Sequence, residues 1–179
     1  MKSIRKSENL KKVNNEKLNL SKLAITKSLK DRLLPVLEQM STRKGGSLTA
    51  EENIIWLDGM DKQRSLISAE LIAKEVGRDL LRIDLSQIIS KHTGETERNL
   101  DVIFKEASST NSAVYFEEAD ALFGKRTEVR DAHDRYANIE VNAFLKRVEM
   151  FGGVVILTSA RKSDIDPAFL RRLRFVVQL

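Results

Sequence analysis

From Asn53 to Leu179 the chain alternates short apolar runs with helical stretches, and this alternation constrains the fold more than any other feature of the sequence. The runs are Asn53–Leu57, Leu80–Asp84, Ala113–Phe116, Val154–Thr158 and Phe175–Leu179. Between them, apolar residues recur at helical spacing over Arg64–Val76, Glu95–Ser108 and Tyr136–Met150. Strands alternating with helices of about 10–15 residues imply right-handed crossovers and a mainly parallel sheet covered on both faces. The expected fold is therefore an α/β/α sandwich around five parallel strands. Ligands of such sheets sit beyond the carboxyl ends of the strands, so the segments after Leu57, Asp84, Phe116 and Thr158 are the ones to inspect.

Upstream, Leu23, Ile25, Leu29, Leu33, Leu34, Val36 and Leu37 predict a further helix within Leu18–Met40, interrupted or begun near Pro35. Ser41–Ser47 reads as a loop. The 179 residues are 41% apolar, enough for one well-buried core and too few for two ordinary domains. We divide the chain into a basic, flexible tail, residues 1–17, and one domain, residues 18–179. Of the net charge of +5, +4 lies in the tail, where Lys2, Arg5, Lys6, Lys11, Lys12 and Lys17 face only Glu8 and Glu16. A basic Asn- and Ser-rich tail without interleaved aromatics reads as a solvated extension, and nucleic acid ranks last among the partners. Cysteine is absent, which excludes disulfides and thiolate metal sites, and His92 and His133 stand alone. No apolar stretch approaches the roughly 20 residues of a bilayer span, and Met1 leads into charge rather than a signal peptide. We expect a cytoplasmic protein with no membrane partner.

Three motifs in order carry a family resemblance. Ser90-Lys-His-Thr-Gly-Glu-Thr-Glu97 is similar to a Ser-Lys-aromatic-hydrophobic-Gly-Glu segment, Phe116-Glu-Glu-Ala-Asp-Ala-Leu122 to a Walker B run, and Ile156–Ser159 with Ile165–Phe175 to a second region of homology. Together with Ala69-Glu-Leu-Ile-Ala73, the stretch from Leu20 to Leu179 resembles the large α/β subdomain of an AAA+ ATPase, a P-loop NTPase-like fold. The resemblance implies ATP or ADP with magnesium if any nucleotide binds. It also implies partners among other AAA+ subunits, in a homo- or hetero-oligomer, or a protein client.

The departures from that family govern the functional reading. A working P-loop converges glycine backbone N–H groups, a lysine and a hydroxyl on phosphates and magnesium. Here the corresponding segment is Gly59-Met60-Asp61-Lys62-Gln63-Arg64-Ser65-Leu66, in which Gly59 alone matches: Arg64, Ser65 and Leu66 replace the second glycine, the lysine and the hydroxyl, and Asp61 adds negative charge. Each lost charged contact costs about 1.5–3 kcal/mol, so the usual binding mode is weakened by a few orders of magnitude. Lys62 and Arg64 still offer positive charge near a helix N-terminus, an unorthodox anion site set against an ordinary polar turn.

At the Walker B run, Glu118 matches the catalytic glutamate, while Glu117 stands one methylene longer than the metal-associated aspartate. Ala160 takes the place of the polar sensor residue. Lys91, His92, Thr93 and Gly94 match the pore loop, where His92 and Thr93 replace the pair that grips polypeptide. Arg171, Arg172 and Arg174 occupy arginine-finger positions, from which they would act on a neighbouring subunit's nucleotide; pairing with nearby acids is the competing reading. The sequence ends after the fifth strand, and a helical lid is expected to be missing. These features predict a degenerate AAA+ protein with weak or absent ATP binding and hydrolysis, working through protein contacts. A low-activity ATPase with a non-standard phosphate loop is the alternative.

Overall fold

The structure, a computed structural model, describes residues 11–13, 31, 33–38, 49–59, 61–90, 94–124, 133–159 and 165–179. The elements are β1 (Lys11–Val13), α1 (residues 33–38), α2 (Ala50–Asn53), β2 (Ile54–Asp58), α3 (Lys62–Glu75), β3 (Asp79–Asp84), α4 (Glu95–Ser109), β4 (Ser112–Glu117), α5 (Asp120–Phe123), α6 (His133–Phe151), β5 (Val155–Ser159), α7 (Pro167–Leu170) and β6 (Phe175–Gln178). They form one sheet of order β1-β3-β4-β5-β2-β6. The five strands expected from the sequence are all parallel.

Alternate residues of each strand feed two cores, as the period of two requires. On one face Ile54, Trp56, Val114, Phe116, Val155 and Leu157 pack with α4 and α6 through Leu100, Phe104, Phe144 and Val148. On the other, Ile55, Leu57, Ala113, Tyr115 and Ile156 pack with Ala69, Ile72 and Ala73 of α3 and with Leu33 and Leu37 of α1. Phe144 joins the helices to the sheet, with ring centroids 6.1 Å from Phe104, 5.4 Å from Phe116 and 5.3 Å from Phe123.

The tail differs from its expectation at one point. Lys11–Val13 pairs antiparallel with β3, Lys12 opposite Leu81, and makes a sixth, edge strand. Without it, β3 would present an open row of N–H and C=O groups, and backbone pairing of this kind depends little on side-chain identity. No helix among the described residues is long and apolar enough to cross a membrane.

Candidate functional site

The carboxyl ends of β2, β4 and β5 converge on the start of α3. Gly59 follows β2 at a point of close approach: a Cβ there would lie 2.8 Å from the Cβ of Leu179, whose N–H donates to the Asp58 carbonyl at 2.9 Å. Asp61 then takes extended backbone angles (φ −88°, ψ 105°) and caps α3. Its carboxylate accepts from the N–H groups of Gln63 at 2.9 Å and Arg64 at 3.1 Å. The first turn of a helix leaves its N–H groups without intrahelical partners, and here two of them are satisfied by an anion of the chain itself.

Lys62 reaches β4, where its Nζ lies 2.5 Å from Oε1 of Glu118. The hydrogen bond that Lys62 donates to Glu118, followed by the Glu118 charge, holds the Lys62 ammonium above the usual lysine range. Glu118 itself sits in the left-handed region, φ +54°, which costs a non-glycine residue on the order of 1–2 kcal/mol. Its carbonyl accepts from the Ala121 N–H at 3.0 Å as the chain turns into α5.

Glu117 is engaged elsewhere. Arg82 of β3 lies opposite Tyr115 in the register, which sets it diagonally from Glu117 on the same face. Its Nε donates to Glu117 Oε2 at 2.7 Å and its Nη2 to Oε1 at 3.0 Å, a two-pronged pair. Donating to Glu117 raises the Arg82 pKa further. Beside them, burial and then the Glu117 charge push the Tyr115 hydroxyl upward, and this hydroxyl has no partner among the described residues. Burial likewise raises Glu70 of α3, partly offset by Arg82.

What remains between the loop and the strand ends is a cavity of about 10 Å³, lined by Gly59, Lys62, Ser65, Glu117, Glu118, Thr158 and Ser159. That is room for about one water. Ser65 is buried there, and its Oγ has no hydrogen-bond partner. Thr158 donates its hydroxyl to the Leu57 carbonyl at 3.1 Å.

The structure thus brings Gly59, Lys62, Ser65, Glu117 and Glu118 together, with Asp61 immediately beside them. Gln63 and Arg64 are exposed on the first turn, and Leu66 packs against the core under α3. Arg171 and Arg172 are exposed beyond α7 and line no part of the cavity. Arg174 pairs with its own chain: Nη1 donates to Glu52 Oε1 at 3.0 Å and the guanidinium lies 5.6 Å from the Phe175 ring centroid. Gly94 precedes α4 at φ +80°. On the near side of that loop, Ser90 donates its N–H to Thr96 Oγ1 and its hydroxyl to Glu95. Met60, Lys91, His92, Thr93 and Ala160 lie outside the described residues. Arg82, Thr158 and Ser159 are the site residues that sequence reasoning misses; only their places in or at the end of a strand hint at them.

Magnesium needs free oxygen ligands, and phosphates need free N–H groups and cations. Here both Glu117 oxygens face Arg82, Glu118 faces Lys62, and the α3 amides face Asp61. The residues in this arrangement do not fit a magnesium–nucleotide. Among the described residues no group of three or more acidic or histidine side chains is placed to hold a metal.

Residues 64–179 match the family model described as "ATPase family associated with various cellular activities (AAA)". The chain belongs to the AAA family. It is 33% identical over 109 residues to a cell division cycle protein 48 homolog of Archaeoglobus fulgidus, a match covering 60% of this chain and 15% of that protein. It is also 33% identical over 124 residues to an "AAA ATPase forming ring-shaped complexes" of Corynebacterium jeikeium, covering 61% and 24% respectively. This AAA chain therefore spans between about a seventh and a quarter of the length of these curated relatives. A solved HORMA:CdnC:Trip13 complex from E. coli MS115-1 contains a chain that superposes with a TM-score of 0.59 at 20% identity, covering 89% of this chain and 64% of that one, a likeness of fold alone. The five parallel strands with helices on both faces are the P-loop NTPase-like architecture of an AAA domain.

Proposed function

We propose that this chain is a degenerate AAA domain, a pseudo-ATPase with weak or absent ATP binding and hydrolysis, that acts through protein contacts as a partner or regulator of an AAA assembly. The observation that carries this reading is the cavity of about 10 Å³ at the strand ends, walled by side chains already paired with one another. Supporting it, the family match begins at residue 64, beyond Gly59 and Asp61. Arg171 and Arg172 stand exposed beyond α7, at positions that resemble the family's arginine fingers. Arg174, tied to Glu52, is assigned to holding its own chain. Partners of the same family are suggested by the ring-shaped complexes named for one relative.

A second reading, a slow ATPase using Lys62 as its phosphate ligand, is favoured by the position of Lys62 against Glu118. Phosphate-release assays separate the two. The pseudo-ATPase releases no phosphate above the uncatalysed rate, and Glu118→Gln changes nothing. Magnesium-dependent turnover abolished by Glu118→Gln establishes the second.

A further inference from the structure

β3 is the outermost parallel strand on its side of the sheet, and β1 covers only part of its outer edge. Of the six residues Asp79–Asp84, Leu80, Leu81 and Arg82 have partners there, in antiparallel register with Val13, Lys12 and Lys11. We infer that β1 is a displaceable guard, and that the edge beneath it is a docking edge for β3 of a second copy of this chain, joined antiparallel about a two-fold axis at Leu81. The inference goes beyond the proposed function and does not depend on whether nucleotide binds.

The apolar side chains of β3 are committed to the two cores, Leu81 and Ile83 to one and Leu80 to the other. What the strand offers outward is its backbone, a row of N–H and C=O groups that accepts another strand. β1 is three residues long and reads Lys-Lys-Val, and short, lysine-bearing edge strands are a common means of keeping a sheet from growing. Charge and length select the occupant. Any strand can pair antiparallel with its own copy, provided that the two-fold axis passes through a residue so that like sides of the pleat meet. An axis at Leu80 sets Arg78 opposite Arg82, an axis at Arg82 sets that residue on itself, and axes at Asp79 or Asp84 do the same with aspartate. An axis at Ile83 pairs only Arg82–Asp84 within the strand. The axis at Leu81 pairs Asp79–Ile83 with no like charges opposed, a longer ladder than the one with β1, and brings Arg78 opposite Asp84 at both ends. The Arg78 side chain forms no hydrogen bond or ion pair among the described residues. The intact chain keeps its own strand in place because a tethered segment acts at an effective concentration on the order of millimolar. Loss of β1 opens the edge to the second copy.

The test keeps the full chain and changes β1. Successive N–H groups of a strand point to opposite edges, so Lys12→Pro with Val13→Pro removes at least one donor from the ladder with β3. Lys12→Ala with Val13→Ala changes the same side chains and keeps both N–H groups. Sedimentation equilibrium should show the proline variant dimerising at least tenfold more tightly than wild type, and the alanine variant within threefold of wild type. Adding Arg78→Asp to the proline variant sets aspartate opposite Asp84 twice and should weaken the dimer at least tenfold. A proline variant that associates no more tightly than wild type overturns the inference, as does an alanine variant that gains as much. Association indifferent to Arg78→Asp is the mark of non-specific aggregation and overturns it too. The proposed function is read from nucleotide binding and phosphate release, so either fails without the other.

Discussion

Separating Arg82 from Glu117 tests whether the first acidic residue after β4 is structural. The guanidinium makes two charge-assisted hydrogen bonds, at 2.7 and 3.0 Å, to a carboxylate whose side chain is 13% exposed. Each such bond contributes about 1.5–3 kcal/mol when shielded from water. Arg82 is 34% exposed, so solvent screening reduces the pair to about 2 kcal/mol of coupling. Urea denaturation of wild type, Arg82→Ala, Glu117→Ala and the double variant gives that coupling directly, because the cycle cancels packing lost from each side chain alone. Most of it should survive molar salt, where exposed pairs are screened beyond about 3 Å. A coupling below about 0.5 kcal/mol would refute the reasoning and return Glu117 to the role of an available metal ligand.

Three further outcomes follow from the packing and the site. Phe144→Ala removes the ring that joins Phe104, Phe116 and Phe123 and should cost about 3–5 kcal/mol in denaturant unfolding; a loss under 1.5 kcal/mol, roughly a loosely packed site's value, would contradict that core. Gly59→Ala forces a Cβ into the Cβ of Leu179 and should destabilise by about 1–3 kcal/mol, measured the same way, whereas a neutral effect would show that Leu179 does not pack there. Burial raises the folded pKa of Glu70 above its usual 4.5, so the folded state binds that proton more tightly than the unfolded state. The stability this contributes is present below 4.5 and lost as pH rises through the raised value, so Glu70→Gln should melt higher than wild type at neutral pH. The gap should close in acid, and a gap that is constant with pH would exclude the burial effect.

The sheet was legible because its strands are apolar runs of the right length; its boundaries moved by one residue, with Asn53, Val154 and Leu179 falling outside the strands and several polar residues joining the ladder. Asp58, Asp79, Ser112 and Ser159 pair in the register although their residue types favour turns, and Glu117 pairs there too. Helix α3 begins at Lys62, earlier than the apolar pattern suggests, because Asp61 caps it. From sequence that residue registers as a charge opposing polyphosphate; its use as a cap depends on backbone angles that spacing does not reveal. The pairs that fill the site were not legible at all. Lys62 and Glu118 are separated by 56 residues, and Arg82 and Glu117 by 35, and only the β3–β4 register and the convergence of strand ends bring them together. The edge strand Lys11–Val13 was hidden for a different reason: it is three residues long and held by backbone pairing, which leaves little trace in side-chain pattern.

Titration calorimetry of the full chain with ATP and ADP, each with and without magnesium, tests the central claim most directly. A site occupied by Asp61 and Lys62 should give no heat of binding up to millimolar nucleotide under any of the four conditions. Micromolar binding that depends on magnesium would contradict it, and would mean that nucleotide displaces both side chains from their present partners.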